Sequence, residues 1–182
     1  MIYVALLRAI NVGGKNKVEM RTLKKTFESL GFKNVVTYIN SGNIIFEAIS
    51  EQQGSMEDKI ENAIKRDFHL DLKVLIRDIK AMESIHEKLP LTWVKDKTMR
   101  TDVMFLWEKI DTPRVAEQLM INDVDKVKYV SGAILWNIED ENYSKSAMPK
   151  LIGTELYKHM TIRNANTFRK IYQIMTEIQN GK

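Results

Sequence analysis

Two spacings of apolar residues alternate along this chain of 182 residues. The first run puts Ile2, Val4 and Leu6 on one parity and Tyr3, Ala5 and Leu7 on the other, which predicts a strand covered on both faces. From Glu19 to Leu30 the period changes: Met20, Leu23, Phe27 and Leu30 recur at helical spacing, with Gly31 as the stop. Val35 to Asn40 and Asn43 to Ala48 are rich in β-branched and aromatic residues, and Asn40-Ser41-Gly42 between them predicts a tight hairpin. Met56 to Phe68 reads as a second helix with Met56, Ile60, Ala63 and Ile64 on its core stripe, and Leu72 to Ile76 as a fourth strand. The order βαββαβ is the ferredoxin-like, split-βαβ pattern.

A helix from Ile79 to Lys88 leads to Pro90 and a connector through Lys97. Thr101 to Trp107 then reads as another strand apolar on both parities. A helix starts at Pro113, a residue suited to a first helical position, and runs to Met120. Lys126 to Val130 and Ala133 to Ile138 form a second hairpin. Its Tyr129-Val130-Ser131-Gly132-Ala133-Ile134-Leu135-Trp136 echoes Tyr38-Ile39-Asn40-Ser41-Gly42-Asn43-Ile44-Ile45-Phe46 when one turn residue is skipped. Tyr143 to Lys182 reads as helical in two pieces. Ser144 or Ser146 is the cap of the first; Asn164 or Asn166 caps the second, whose stripe is Phe168, Ile171, Tyr172, Met175 and Ile178. The expectation is an α+β protein of two ferredoxin-like subdomains: residues 1–90, a partial second copy at 98–140, and a helical segment at 141–182 packed on the first.

Charge sharpens this picture more than overall composition does. The net charge of +4 is uneven: residues 1–48 carry seven Lys/Arg against three Asp/Glu, residues 141–182 the same seven against three, and the middle fourteen against eighteen. Both ends are basic around an acidic centre. The chain has no cysteine, which removes disulfides and cysteine-based zinc sites. No apolar run approaches the roughly 18 residues of a membrane span. No basic region precedes the N-terminal apolar run and Arg8 interrupts it, so a secretory signal is not expected and a cytoplasmic location is.

The densest candidate chemistry follows the first strand. Arg8, Asn11, Gly13, Gly14, Lys15, Asn16 and Lys17 fall within ten residues, ahead of the start of a helix. Cationic side chains, two glycines and a nearby helix N-terminus are the parts of an anion site; turn glycines and solvated lysines would give the same string. The spacing is not that of a Walker A loop. An RNA-stacking sheet is disfavoured because the third strand offers branched apolar residues where stacking rings are needed, which leaves only electrostatic contact with phosphates. Ser144, Lys145 and Ser146 lack a nucleophile-elbow or Ser-x-x-Lys spacing, and serine there is a helix cap more often than a nucleophile. His69, His86 and His159 are scattered, and no metal-ligand spacing or cofactor motif is legible.

Four motifs in order, LLRAINVGGKNKVEM, TYINSGNIIF, YSKSAMPKLIG and TIRNANTFRKI, closely resemble the bacterial domain family of unknown function numbered 1697 over essentially the whole chain. The resemblance implies two ferredoxin-like subdomains and no activity, since that family has no established one. Its motif positions here include Arg8, Asn11, Val12, Gly13, Gly14, Lys15, Asn16, Lys17, Ser41, Gly42, Asn43, Ser144, Lys145, Ser146, Arg163 and Asn164. One place departs from the pattern: Ala165 and Asn166 stand where a tryptophan often follows the Arg-Asn pair.

The resulting expectation is a small phosphorylated or nucleotide-like ligand in a basic cleft where these segments converge. Arg8 and Arg163 would clamp it, Lys15 and Lys17 would steer it, and Ser41 and Asn43 would orient it, with Asn11, Gly13, Gly14, Ser144, Lys145 and Asn164 as the remaining ligand-binding candidates. The alternative is an interaction module in which the same segments form a structural seam. No reaction is legible.

Overall fold

The computed structural model describes residues 1–11, 13–49 and 53–181, so the motif position Val12 lies outside the described residues. The chain is α+β, with two four-stranded antiparallel sheets, and divides into two compact units.

The first unit comprises Met1–Lys80 together with Ile171–Lys182. Its elements are β1 (Ile2–Leu7), α1 (Met20–Ser29), β2 (Lys33–Tyr38), β3 (Asn43–Glu47), α2 (Gln53–Phe68) and β4 (Val74–Asp78). The strands pair in the order β2-β3-β1-β4, with every pairing antiparallel. Tyr3, Ala5 and Leu7 project from one face of β1 with Ile44 and Phe46 of β3. The helical stripes Leu23–Phe27 of α1 and Met56–Ile60–Ile64 of α2 close over that face. Phe46 is the hub of the layer, with ring centroids 4.5 Å from Phe32 and 5.4 Å from Phe27. The other parity of β1 (Ile2, Val4 and Leu6) is buried as well, as the double apolar pattern requires.

One edge of this sheet is finished by side chains. Glu61 Oε1 accepts the Val74 N–H at 3.0 Å and Glu57 Oε1 the Ile76 N–H at 3.0 Å. Spaced one helical turn apart on α2, the two carboxylates occupy alternate outward N–H groups of β4, groups that would otherwise offer a template for another strand. Lys73 holds Glu61 in place through a 2.8 Å ion pair.

The second unit, Ala81–Lys170, begins inside α3 (Ile79–Lys88) and ends inside the last helix. It contains β5 (Met99–Leu106), β6 (Lys126–Val130), β7 (Ala133–Glu139), two one-turn helices, α4 (Met148–Leu151) and α5 (Glu155–Lys158), β8 (Met160–Asn164) and the start of α6 (Ala165–Gln179). The sheet order β6-β7-β5-β8 repeats that of the first unit. The repeat extends to individual hydrogen bonds. Leu7 N–H donates to Gly42 C=O at 2.9 Å as Leu106 does to Gly132 at 3.0 Å, and Arg8 to Lys73 at 3.2 Å as Trp107 does to His159 at 3.1 Å. The helix predicted from Pro113 is a 3₁₀ helix over Pro113–Leu119, with the proline at its start.

Residues 160–164 correct the expected all-helical C-terminal segment. Met160–Asn164 is a strand that pairs antiparallel with β5, Arg163 opposite Val103 and Asn164 opposite Asp102. The second sheet is therefore complete. Thr161 and Ile162, both β-branched, carry the strand preference that two flanking helical stripes obscure.

The Glu57→Ala/Glu61→Ala double variant is expected to lose about 2 kcal/mol of stability in urea unfolding, since two half-buried N–H groups lose charged acceptors. Each single variant should lose part of that.

Candidate functional site

The loop after β1 is built on left-handed backbone. Ala9, Asn11, Gly13, Gly14 and Asn16 have φ of 57°, 54°, 57°, 76° and 48°. Glycine and asparagine tolerate this region; Ala9 does not without strain of about 1 kcal/mol. Side chains hold the shape. Asn11 Oδ1 accepts the Val18 N–H at 2.8 Å, while its Nδ2 donates to Val18 C=O at 3.0 Å and to Asn40 C=O at 2.9 Å. Asn16 Nδ2 donates to Ala9 C=O at 2.9 Å, and Asn11 N–H to Asn16 C=O at 3.1 Å. Asn11 is thus a structural clasp rather than a ligand group, and it ties the loop to the β2–β3 turn.

What the clasp presents is cationic. Lys15 and Lys17 are exposed on the loop, Arg8 is half-buried at its start, and Arg21 is exposed in the first turn of α1. That first turn holds no acidic residue, and the Glu19 side chain at the N-cap accepts no backbone N–H; it accepts the Thr22 hydroxyl at 2.6 Å. Among the described residues, and apart from its chain neighbours, no atom lies within 4 Å of where a Cβ on Gly13 or Gly14 would project, so these glycines serve the turn.

The hairpin residues have inward roles. A Cβ on Gly42 would fall 2.7 Å from Leu7 Cβ and 2.9 Å from Ile10 Cδ1, so only glycine fits. Asn43 is fully buried, with Nδ2 donating to Tyr38 C=O and Ser41 Oγ, both at 2.9 Å. Ser41 and Asn43 shape the turn.

Arg163, Asn164, Ser144 and Lys145 belong to the second unit. Arg163 is buried, donating to Thr161 Oγ1 at 3.1 Å and Ile162 C=O at 2.8 Å. Desolvation lowers its pKa to about 10, leaving it cationic at neutral pH. Its side chain lies on the sheet face opposite Met160 and Trp136, the face against which Tyr143, Ala147 and Met148 pack. Within this unit, therefore, Arg163 and the Ser144–Ser146 stretch do not share a site. Asn164 caps α6 through Oδ1, which accepts the Thr167 N–H at 2.9 Å. Ser144 and Lys145 are exposed, and Lys145 C=O accepts Asn122 Nδ2 at 2.6 Å. An open hollow of about 530 Å³ lined by Lys97, Thr98, Met99, Glu139, Asp140 and Glu141 is too acidic for an anion. Among the described residues no group of three or more histidines or carboxylates is placed to hold a metal ion.

Two acids escaped the sequence reading. Asp125 is the polar hub of the second unit. It accepts Trp136 Nε1–H at 3.0 Å, the Ala147 N–H at 3.0 Å, the Asn122 N–H at 2.9 Å and the Ser146 hydroxyl. Burial pushes its pKa up, but the donors from Ser146, Ala147, Asn122 and Trp136 outweigh burial and hold it below the ordinary value. The signal was an indole needing an acceptor. The second acid, Asp102, interrupts the apolar strand β5; desolvation raises its pKa to about 6, against the pull of Lys95 and Arg100.

Since the folded state lowers the Asp125 pKa, its contribution is present above the unfolded carboxylate value and is lost as pH falls through the folded one. Asp125→Asn is expected to cost about 2–4 kcal/mol at pH 7, with the difference from wild type shrinking steadily below pH 4 in a pH series of urea melts.

No curated protein matches the chain. Among solved structures, the conserved bacterial protein SP0830 from Streptococcus pneumoniae is similar, at 34% identity and a TM-score of 0.83, over 96% of this chain and 98% of that one. The family model described as protein of unknown function (DUF1697) matches residues 1–136, the stretch that holds the clasped loop, the first hairpin and most of the second, and the chain belongs to that family.

Proposed function

We propose that the first unit binds a small phosphate-bearing ligand at the loop from Arg8 to Lys17. The observation that carries this reading is a strained, side-chain-clasped loop that exposes Lys15 and Lys17 beside a helix N-terminus without a side-chain cap. Left-handed alanine weakens a fold, and strain of this kind clusters at ligand-binding loops. The corresponding corner of the second unit supports the contrast. There a single 3₁₀ turn, Glu108–Ile110, followed by Asp111, replaces the basic loop, so the cations are not a demand of the architecture.

Each unit's strand order and all-antiparallel pairing support the ferredoxin-like βαββαβ module as its architecture. No described helix is long and apolar enough to cross a membrane, and the ligand class fits a cytoplasmic location. The interaction-module alternative draws its support from Asn11, Ser41 and Asn43, whose hydrogen bonds are internal; these residues are accordingly assigned to the scaffold.

Thermal-shift titration with inorganic pyrophosphate, sugar phosphates and nucleotides tests the reading. At ten times the dissociation constant a ligand stabilises by about 1.4 kcal/mol, which raises Tm by about 3 °C for a chain of this size. Lys15→Ala/Lys17→Ala should abolish the shift without lowering the unliganded Tm. No shift with any phosphate, or an unchanged shift in the double variant, would remove the proposal.

A further inference from the structure

The second unit carries an unspent pair of polar side chains. Asp102 on the central strand β5 lies directly opposite Asn164 on β8 and opposite Trp136 on β7. Register partners in adjacent strands project to the same face, here the face of Met104 and Trp136. The Asp102 carboxylate makes no hydrogen bond and no ion pair within 4 Å among the described residues. Asn164 uses its Oδ1 to cap α6, which leaves its Nδ2 donor without an acceptor among them. Both side chains are only partly covered, so they form an accessible floor rather than a sealed core. Beside Asp102, Arg100 is already committed: it pairs with Asp140 at 2.5 Å and stacks 3.9 Å from the Tyr143 ring centroid.

We propose that Asp102 and Asn164 form a second binding site, one that recognises the N–H/C=O edge of a cyclic amide, with the guanine base as the fullest match. The two carboxylate oxygens accept adjacent ring and exocyclic N–H groups, and Asn164 Nδ2 donates to the neighbouring carbonyl. A cationic ligand is disfavoured because Arg100 and Lys95 both place positive charge near the carboxylate. The chain keeps a shielded, unpaired acid in a central strand where an apolar residue would be more stable, and such breaches of local consistency concentrate at binding sites. The rise of its pKa to about 6 reports the same enclosure and leaves the acceptor mostly ionised at pH 7. All of its residues lie in the second unit, and a nucleoside without phosphate tests it without calling on the phosphate loop.

The test is a ¹H–¹⁵N NMR titration of the full chain with guanosine, which carries no phosphate, against adenosine, which lacks the amide edge. Guanosine should shift amides at 100–104 and 162–166, and adenosine should not. Asp102→Asn should weaken guanosine binding by about tenfold or more while its Tm at pH 7 equals or exceeds that of wild type, because a shielded charge is removed. Asn164→Asp, which keeps the helix cap but replaces the donor with a second carboxylate opposite Asp102, should weaken binding as well. The proposal is overturned by the absence of guanosine-induced shifts, by equal shifts with adenosine, or by unchanged binding in both variants. A fall in Tm for Asp102→Asn at pH 7 would equally overturn it, by assigning the carboxylate a structural partner.

Discussion

The first unit's candidate site depends on one side chain. Asn11 spends its whole amide on the backbone, taking the Val18 N–H and giving to Val18 and Asn40 carbonyls. A strand end, a helix start and a hairpin turn are thereby fixed together by one group. Without it, the left-handed residues from Ala9 to Asn16 would keep only the Asn16–Ala9 and Asn11–Asn16 bonds within the loop and lose their tie to Val18 and the hairpin. With it, Lys15 and Lys17 are displayed from a closed loop rather than a loose one, and ordering them on binding costs less.

Two copies of one strand order give the chain its frame, and the frame is indifferent to function. Gly42 and Gly132 receive equivalent hydrogen bonds, as do Lys73 and His159. Departures from the repeat are therefore informative. The basic loop belongs to the first unit alone, while the Asp125 hub and the unpaired Asp102 belong to the second. Each unit has its own polar investment on a shared apolar plan, as expected when sites are grafted onto a stable scaffold.

Much of the first unit was legible from periodicity, because β1, α1 and the β2–β3 hairpin each have a clean apolar pattern and a glycine or asparagine stop. Boundaries drifted by a residue or two at frayed ends, as with Val35 against the observed start at Lys33. Met160–Asn164 does not read as a strand because five residues between two helical segments carry too little pattern of their own, and its strand character comes from pairing with β5. The candidate site was legible as a basic, glycine-bearing string, but the roles within it were not. Asn11, Asn43 and Asn164 are ligand candidates by type, and only three-dimensional partners show that Asn11 clasps, Asn43 braces and the Asn164 carbonyl caps, with its amide nitrogen left over. Asp102 and Asp125 were passed over for the opposite reason: each is a lone acid among apolar or turn residues, and its meaning lies in what stands across the sheet.

Asn11→Ala is the most direct probe of this account, read by amide hydrogen exchange at Val18 together with pyrophosphate affinity. The account predicts that Val18, buried in wild type, loses protection locally while the β1 and β3 amides keep theirs, and that pyrophosphate affinity falls with it by about tenfold. Full affinity in a chain whose Val18 amide has become unprotected would contradict it, because the lysines would then need no clasped loop to do their work.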